Sequence, residues 1–273
     1  DQHSGDYKSL STVPRPGHAD FTARIRYGDE LNMAGGGPFS ARMTAPLCIA
    51  GGIAIQILEE MGIKIGAHIL SIGDEMDAPL DPVNIPEGLA DRLKTKEIAV
   101  IDPAAEERMA KVILDAKDDL DSVGGVIEAF VTGLPAGIGG AMYDGVESGL
   151  APILFGIPAV KGVEFGAGFE ATRLRGSVNN DPFYFDNGVV KTRTNNHGGI
   201  LGGITSGMPL IARLAFKPTP SISLEQDSVD LETGEDAKLV IKGRHDPCVV
   251  TRAVPIVEAA LAIGLLDCIM EDK

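Results

Sequence analysis

Apolar residues recur along the chain at two spacings, and these divide it into helices and strands. From Ala41 to about Met61, the residues Ala45, Cys48, Ile49, Gly52, Ile53 and Ile57 fall on roughly one helical stripe. Such a stripe predicts a helix buried on a broad face. Ser40 stands where an N-cap belongs and Gly62 where a helix stops. Ile63, Ile65, Ala67 and Ile69 then alternate with other residues, as in a half-buried strand. A loop with Pro79, Pro82 and Pro86 follows. Asp102-Pro103 joins a cap to a first-turn proline and predicts a helix through about Leu120.

Val126 to Val131 reads as a strand and Val160 to Phe165 as another. Asp186-Asn187-Gly188, set between Phe183-Tyr184-Phe185 and Val189-Val190, predicts a hairpin, because Asn-Gly tolerates the positive backbone angles of a tight turn. Leu210 to Phe216 and Leu239 to Lys242 add strands, and a last helix runs from about Ala253 to Met270. Strands and helices are interspersed, with hairpins as well as crossovers between them. The fold class is α+β or mixed α/β rather than a regular doubly wound sheet. No internal repeat or linker divides residues 1–273 into two domains.

Charge then narrows the chemistry. Lys and Arg number 24 against 39 Asp and Glu, a net charge of −15. A field of that sign repels nucleic acid and anionic lipid. No run approaches the ~18–20 uninterrupted apolar residues of a membrane helix, and Asp1-Gln2-His3-Ser4 has none of the charged and apolar regions of a signal peptide. Cys48, Cys248 and Cys268 are odd in number and far apart, which fits a reducing cytoplasm better than a disulfide framework or a zinc site. The 34 glycines exceed the typical ~7% and imply many tight turns or close backbone approaches.

Generic motifs are weak. Gly166-Ala167-Gly168-Phe169-Glu170-Ala171 matches the dinucleotide pattern G-x-G-x-x-A, yet the Asn-Gly hairpin occupies the place where the pattern wants its acidic residue. A structural glycine turn is the better reading. Gly198-Gly199-Ile200-Leu201-Gly202-Gly203 serves either as a tight turn or as a loop whose amides approach a phosphate or a flat ring. His68, in an apolar strand, reads as a satisfied core residue. Arg15-Pro16-Gly17-His18-Ala19-Asp20 and Arg244-His245-Asp246-Pro247-Cys248 each mix cations, an imidazole and a carboxylate with backbone punctuators. In an acidic chain such segments either recognise an anion or merely solvate a loop.

Taken together, six segments resemble the chorismate synthase family, in its order and at close to its spacing. They are Arg15 to Asp20; Gly35-Gly36-Gly37 leading into Ser40-Ala41-Arg42; Ala159 to Glu164; Asn196 to Ile204; Lys217-Pro218-Thr219; and Gly243 to Cys248. The resemblance covers essentially the whole chain. It implies a β-α-β sandwich with helices between antiparallel sheets, a homotetramer, and reduced FMN as cofactor. It also implies loss of phosphate and a ring proton from 5-enolpyruvylshikimate 3-phosphate in a 1,4-anti elimination that yields chorismate. A non-catalytic FMN-binding homologue is the alternative.

By the same resemblance Arg15 and Arg42 hold the substrate, whose phosphate and two carboxylates demand cations. His18 protonates or polarises the reduced ring, and Asp246 takes or relays a proton. Flavin contacts carry over to Pro38, Phe39 and Ser40, to Pro158 and Ala159, to Gly202, to Lys217, Pro218, Thr219, Pro220 and Ser221, and to Arg244. Two departures stand out. Where the family reads G-G-G-R-S-S-A-R-E, this chain runs from Gly35 through Pro38 and Phe39 to Met43, so that an arginine and a glutamate are replaced, and Pro38 offers no backbone donor. Only 17 residues precede His18, fewer than in the family, whose longer start includes a G-E-S-H-G segment. The chain as it stands is therefore expected to fold as one domain and to lack turnover by itself.

Overall fold

The computed structural model describes residues 12–28, 31–241 and 245–271. Helix α1 (Asp20–Tyr27) comes first, and two short 3-10 turns, Ala34–Phe39 and Ala41–Met43, lead into α2 (Thr44–Glu60). Gly62, at a φ of 80°, turns the chain into β1 (Lys64–Ile72), which folds back on the short β2 (Glu75–Met76). Then follow α3 (Leu89–Lys94), α4 (Pro103–Asp118) and β3 (Gly125–Thr132). The Asp102 side chain caps α4 by accepting the Ala104 amide at 2.9 Å, as its Asp-Pro start predicts.

Helix α5 (Val146–Phe155) precedes β4 (Val160–Phe165), the one-turn α6 (Gly176–Asn179) and the hairpin of β5 (Phe183–Asp186) with β6 (Val189–Thr192). Asn187 and Gly188 at its tip have φ of 52° and 86°, the left-handed pair such a two-residue turn requires. A small ribbon of β7 (Ile200–Leu201) and β8 (Ile204–Thr205) leads to β9 (Leu210–Phe216). A second ribbon, β10 (Gln226–Asp230) with β11 (Glu235–Leu239), precedes the long α7 (Val250–Glu271).

The main sheet is antiparallel throughout, in the order β2-β1-β3-β9-β4. Helix α7 lies against β1 and β3, with α2 and α5 beside it, and α3 also packs on β1. Two glycines make these contacts close. A Cβ on Gly51 of α2 would stand 2.3 Å from that of Ala259 on α7, and one on Gly66 would stand 2.8 Å from that of Ala90 on α3. Leu58, Ile69, Ile127, Leu150, Leu214 and Leu261 belong to one continuous core that joins sheet and helices. The class is α+β, as expected.

Four expectations need correction. The stripe of α2 faces outward: Ile49, Ile53 and Ile57 are 71%, 59% and 44% exposed. The helix buries Gly51, Ala54 and Leu58 instead, because small residues let its backbone close on α7. Strand β1 is buried from Ile65 through Ile72 rather than on one face, since α3 and α7 both pack on it. The strand expected at Leu239 to Lys242 ends at Leu239; it is built from the polar run Glu235 to Lys238, and Lys242 lies outside the described residues. Finally, residues 41–60 and Val250–Glu271 are each long and apolar enough, by length and composition, to cross a membrane. Helix α7 owes that composition to its place in the core, where 61% of its most apolar window is buried.

Candidate functional site

Arg15 and His18, before α1, form a charged cluster with Asp20, the first residue of that helix. Asp20 accepts the Nε and backbone N–H of Arg15 on one oxygen, at 2.7 and 3.0 Å. Its other oxygen accepts Arg15 Nη2 and His18 Nδ1, each at 2.7 Å. Burial alone would raise the Asp20 pKa, but the hydrogen bonds and charges of Arg15 and His18 outweigh it and hold the carboxyl well below the usual range. Arg15 Nη2 also lies 3.0 and 3.3 Å from the two ring nitrogens of His18, so the guanidinium rests against the imidazole.

Distant segments close around this cluster. Arg15 Nη1 donates to Ser221 Oγ at 3.2 Å, and a Cβ on Gly17 would touch that of Pro220 at 3.5 Å. A Cβ on Gly36 would come within 3.5 Å of His18 Nε2 and 3.4 Å of Ser40 Cβ, so the glycine segment passes beside the imidazole. Ser40 Oγ accepts the Arg42 Nε at 3.2 Å and its backbone N–H at 3.3 Å. Phe39 reaches toward α1, its ring 6.4 Å from that of Tyr27, while Pro38 is exposed. Ser122 Oγ donates to the Thr219 carbonyl at 2.7 Å and anchors the 217–221 segment from the far side.

The sheet supplies a second set. Ala159 has a φ of 75°, rare for a residue with a Cβ, and its carbonyl accepts the Lys217 amide at 3.0 Å. Beside it the β4–β9 register shifts between Val160 and Gly162, leaving Lys161 as a bulged residue. Burial and the neighbouring Lys161 charge both push the Lys217 pKa down. Two cations thus sit together where the Ala159 carbonyl accepts the Lys217 amide.

Other expected residues lie elsewhere or carry other contacts. Asp246 pairs with Arg252 at the head of α7 and accepts the Cys248 amide at 3.4 Å. Arg244 lies outside the described residues. In the Gly198–Gly203 loop the two readings separate by position. A Cβ on Gly199 would stand 2.5 Å from the Pro209 carbonyl oxygen and one on Gly203 2.2 Å from that of Gly140, so these glycines serve tight passage. Gly202 has open space around it and is exposed. His197 braces this loop: Nδ1 pairs with Asp181 and Nε2 lies 3.2 Å from Ser206 Oγ.

Gly166 to Ala171 runs into a 3-10 turn, Gly168–Arg173, and β4 is antiparallel to β9. That removes the βαβ setting a dinucleotide fingerprint needs. Three residues near the site had no assigned role in the sequence reading: Asp20, Lys161 and His245. Burial, and then the nearby charge of Arg15, lower the His245 imidazole pKa. Asp20 and Lys161 were visible as members of their motifs, but only the folded contacts separate them from their neighbours.

The donor set suits a phosphate-bearing flavin. Lys161 and Lys217 form a like-charged pair beside a backbone carbonyl held in a left-handed turn, and Gly36 lies against the imidazole of the Arg15–His18 cluster. An α+β fold that gathers cations, an imidazole and glycines in this way defines a binding site suited to an anionic small molecule. The family model for chorismate synthase matches residues 1–270. A chorismate synthase from Korarchaeum cryptofilum is 45% identical over 99% of this chain and 74% of its own length. One from Thermococcus gammatolerans is 46% identical over 100% of this chain and 75% of its own. A crystal structure of chorismate synthase superposes with a TM-score of 0.78 at 30% identity, covering 93% of this chain and 70% of that one. The chain belongs to the chorismate synthase family.

Proposed function

We propose that the chain converts 5-enolpyruvylshikimate 3-phosphate to chorismate and phosphate by 1,4-anti elimination, a carbon–oxygen lyase reaction, with reduced FMN at the site around His18. The observation that carries this reading is the Arg15–His18–Asp20 cluster joined to Ser221, in a chain whose net charge is otherwise −15. The relatives share that activity by name at about 45% identity, which favours the enzyme over a non-catalytic flavin-binding homologue.

Reduced FMN, when bound, supplies the electron density that eases the departure of phosphate. Pro38, Phe39 and Ser40, Pro158 and Ala159, Gly202, Lys217 to Ser221 and Arg244 are the residues that would hold it. Lys217, with Lys161 beside it, offers charge to a phosphate, and Ser40, Thr219 and Ser221 offer hydroxyls to polar edges. Arg15 and Arg42 bind the carboxylates and phosphate of the substrate through charge-assisted bonds. His18 moves a proton at Nε2, the nitrogen beside Gly36. Asp246, with its charge shared by Arg252, is the second proton carrier. A homotetramer in the cytoplasm completes the reading.

The test is an anaerobic assay with chemically reduced FMN and 5-enolpyruvylshikimate 3-phosphate. In a full-length form that carries the family's G-E-S-H-G segment, His18→Ala and Asp246→Ala should each lower turnover ~100-fold or more, the scale of a positioned acid or base. Substrate binding should change far less. Near-normal turnover in either variant refutes the role given to that residue.

A further inference from the structure

The hydrogen bonds of one carboxylate reach beyond this reading. We propose that Asp20 is a positioning residue that fixes the proton of His18 on Nδ1 and so reserves Nε2 for proton exchange in the site. The inference rests on the reading of His18 as the proton carrier.

The argument starts from hydrogen counts. An ionised carboxylate has acceptors and no hydrogen to give, so a ring nitrogen 2.7 Å from Asp20 must itself carry the proton. That nitrogen is Nδ1, and the neutral ring then keeps its lone pair on Nε2. Arg15 ensures that Asp20 stays an anion and cannot turn. Its Nε and backbone N–H hold one carboxylate oxygen at 2.7 and 3.0 Å, while Nη2 holds the other at 2.7 Å. All three side chains are nearly buried, at 8% exposure for Arg15, 14% for His18 and 11% for Asp20. The Nε2 edge faces Gly36, where a Cβ would be in ordinary contact at 3.5 Å, and Arg15 Nη2, already bonded to Asp20, lies 3.3 Å from it.

A proton cycle at Nε2 needs that nitrogen to accept a proton in one step and give it back in another. Both halves require the other nitrogen to remain protonated throughout. Asp20→Asn changes this with little change in shape. The amide oxygen belongs at the position that receives the Arg15 Nε and backbone N–H, which leaves the amide NH2 facing His18 Nδ1 and turns Arg15 Nη2 away from the oxygen it had bonded. Nδ1 must then accept, the ring proton moves to Nε2, and the neutral ring has no lone pair left to offer the site.

The experiment reads the tautomer and the turnover separately. Side-chain 15N NMR of histidine-labelled protein, with the signals of the five histidines assigned by single substitutions, should show the neutral ring of His18 protonated on Nδ1 and, in Asp20→Asn, on Nε2. In the same variant of a full-length form kcat should fall ~100-fold or more with little change in KM, and Asp20→Glu, which keeps the carboxylate, should recover part of the loss. His18 keeping the same tautomer in Asp20→Asn overturns the proposal. So does a switched tautomer with normal turnover, provided His18→Ala is itself inactive. Normal turnover in His18→Ala brings down the reading of His18, and the proposal falls with it.

Discussion

Glu258 is a carboxyl group in the wrong place for its charge, and replacing it with glutamine tests how the helix layer is held on the sheet. The residue lies in α7 and is only 5% exposed. Its Oε1 accepts the amide of Ala67 in β1 at 3.1 Å. Burial pushes its pKa from 4.5 up to about 7, against the smaller opposing pulls of Lys94 and the Ala67 amide. The folded state therefore binds a proton that the unfolded state has already lost between these two values. Stability from this group is complete below pH 4.5 and is lost as pH rises through 7. The interval of about 2.5 units, at 1.36 kcal/mol each, makes the loss roughly 3 kcal/mol. Glu258→Gln keeps an oxygen for the Ala67 amide and carries no charge at any pH. At pH 8 the variant should unfold at a higher urea midpoint than the wild type, and near pH 4 the two should coincide. In heat the gap corresponds to ~2–4 °C for each kcal/mol in a chain of this size. A difference that is constant with pH, or a wild type more stable at pH 8, would show that Glu258 is not a buried charge at all.

Two further substitutions probe packing and binding. Gly51→Ala places a methyl 2.3 Å from Ala259 Cβ and 2.8 Å from its carbonyl oxygen, so α2 must lift from α7; an overpacking cost of ~1–3 kcal/mol should lower the urea midpoint, and an unchanged midpoint refutes the close contact. Arg42→Ala should weaken substrate binding by ~1.5–3 kcal/mol, roughly 10- to 150-fold in Kd, the value of a hydrogen bond to a charged group. Anaerobic titration measures it, and an unchanged Kd removes Arg42 from the substrate site.

Local signals were legible where the backbone itself makes the decision. Asn187-Gly188 and Asp102-Pro103 carry their turn and cap in their own dihedral preferences, and both elements form where those residues stand. What periodicity weighs poorly is a contact made by small residues. The isoleucines of α2 suggested a buried stripe, yet the helix closes on α7 through Gly51 and Ala54, which a hydrophobic pattern scores low. Strands β10 and β11 were hidden for the opposite reason, since their residues are polar and half-exposed and show little apolar alternation. At the site the motifs could be read as residues, but not as neighbours. Arg15 and Ser221 are joined by a hydrogen bond across 206 positions, and Lys161, at the bulge of β4, lies close enough to Lys217 for its charge to be felt there.

Sheet register is what keeps those two sets of residues in place. His68, Glu128, Arg213 and Glu164 are successive cross-strand partners on β1, β3, β9 and β4, so charge alternates across the sheet. His68 is fully buried and bonds carboxylates at both nitrogens, Asp77 at 2.8 Å and Glu128 at 3.0 Å. Burial favours the neutral imidazole, but the two acids outweigh it and raise the pKa. Glu128 in turn accepts Arg213 Nε at 2.8 Å and the Leu80 amide at 3.2 Å. A slip of β9 by one residue would set Ala212 or Leu214 opposite Glu128 and strand a buried charge, at a cost of ~3–5 kcal/mol. A slip would also move the end of β9, where Phe216 pairs with Val160 and Lys217 bonds the Ala159 carbonyl at 3.0 Å. The ladder of charges in the middle of the sheet thus sets the position of the lysine pair at its edge.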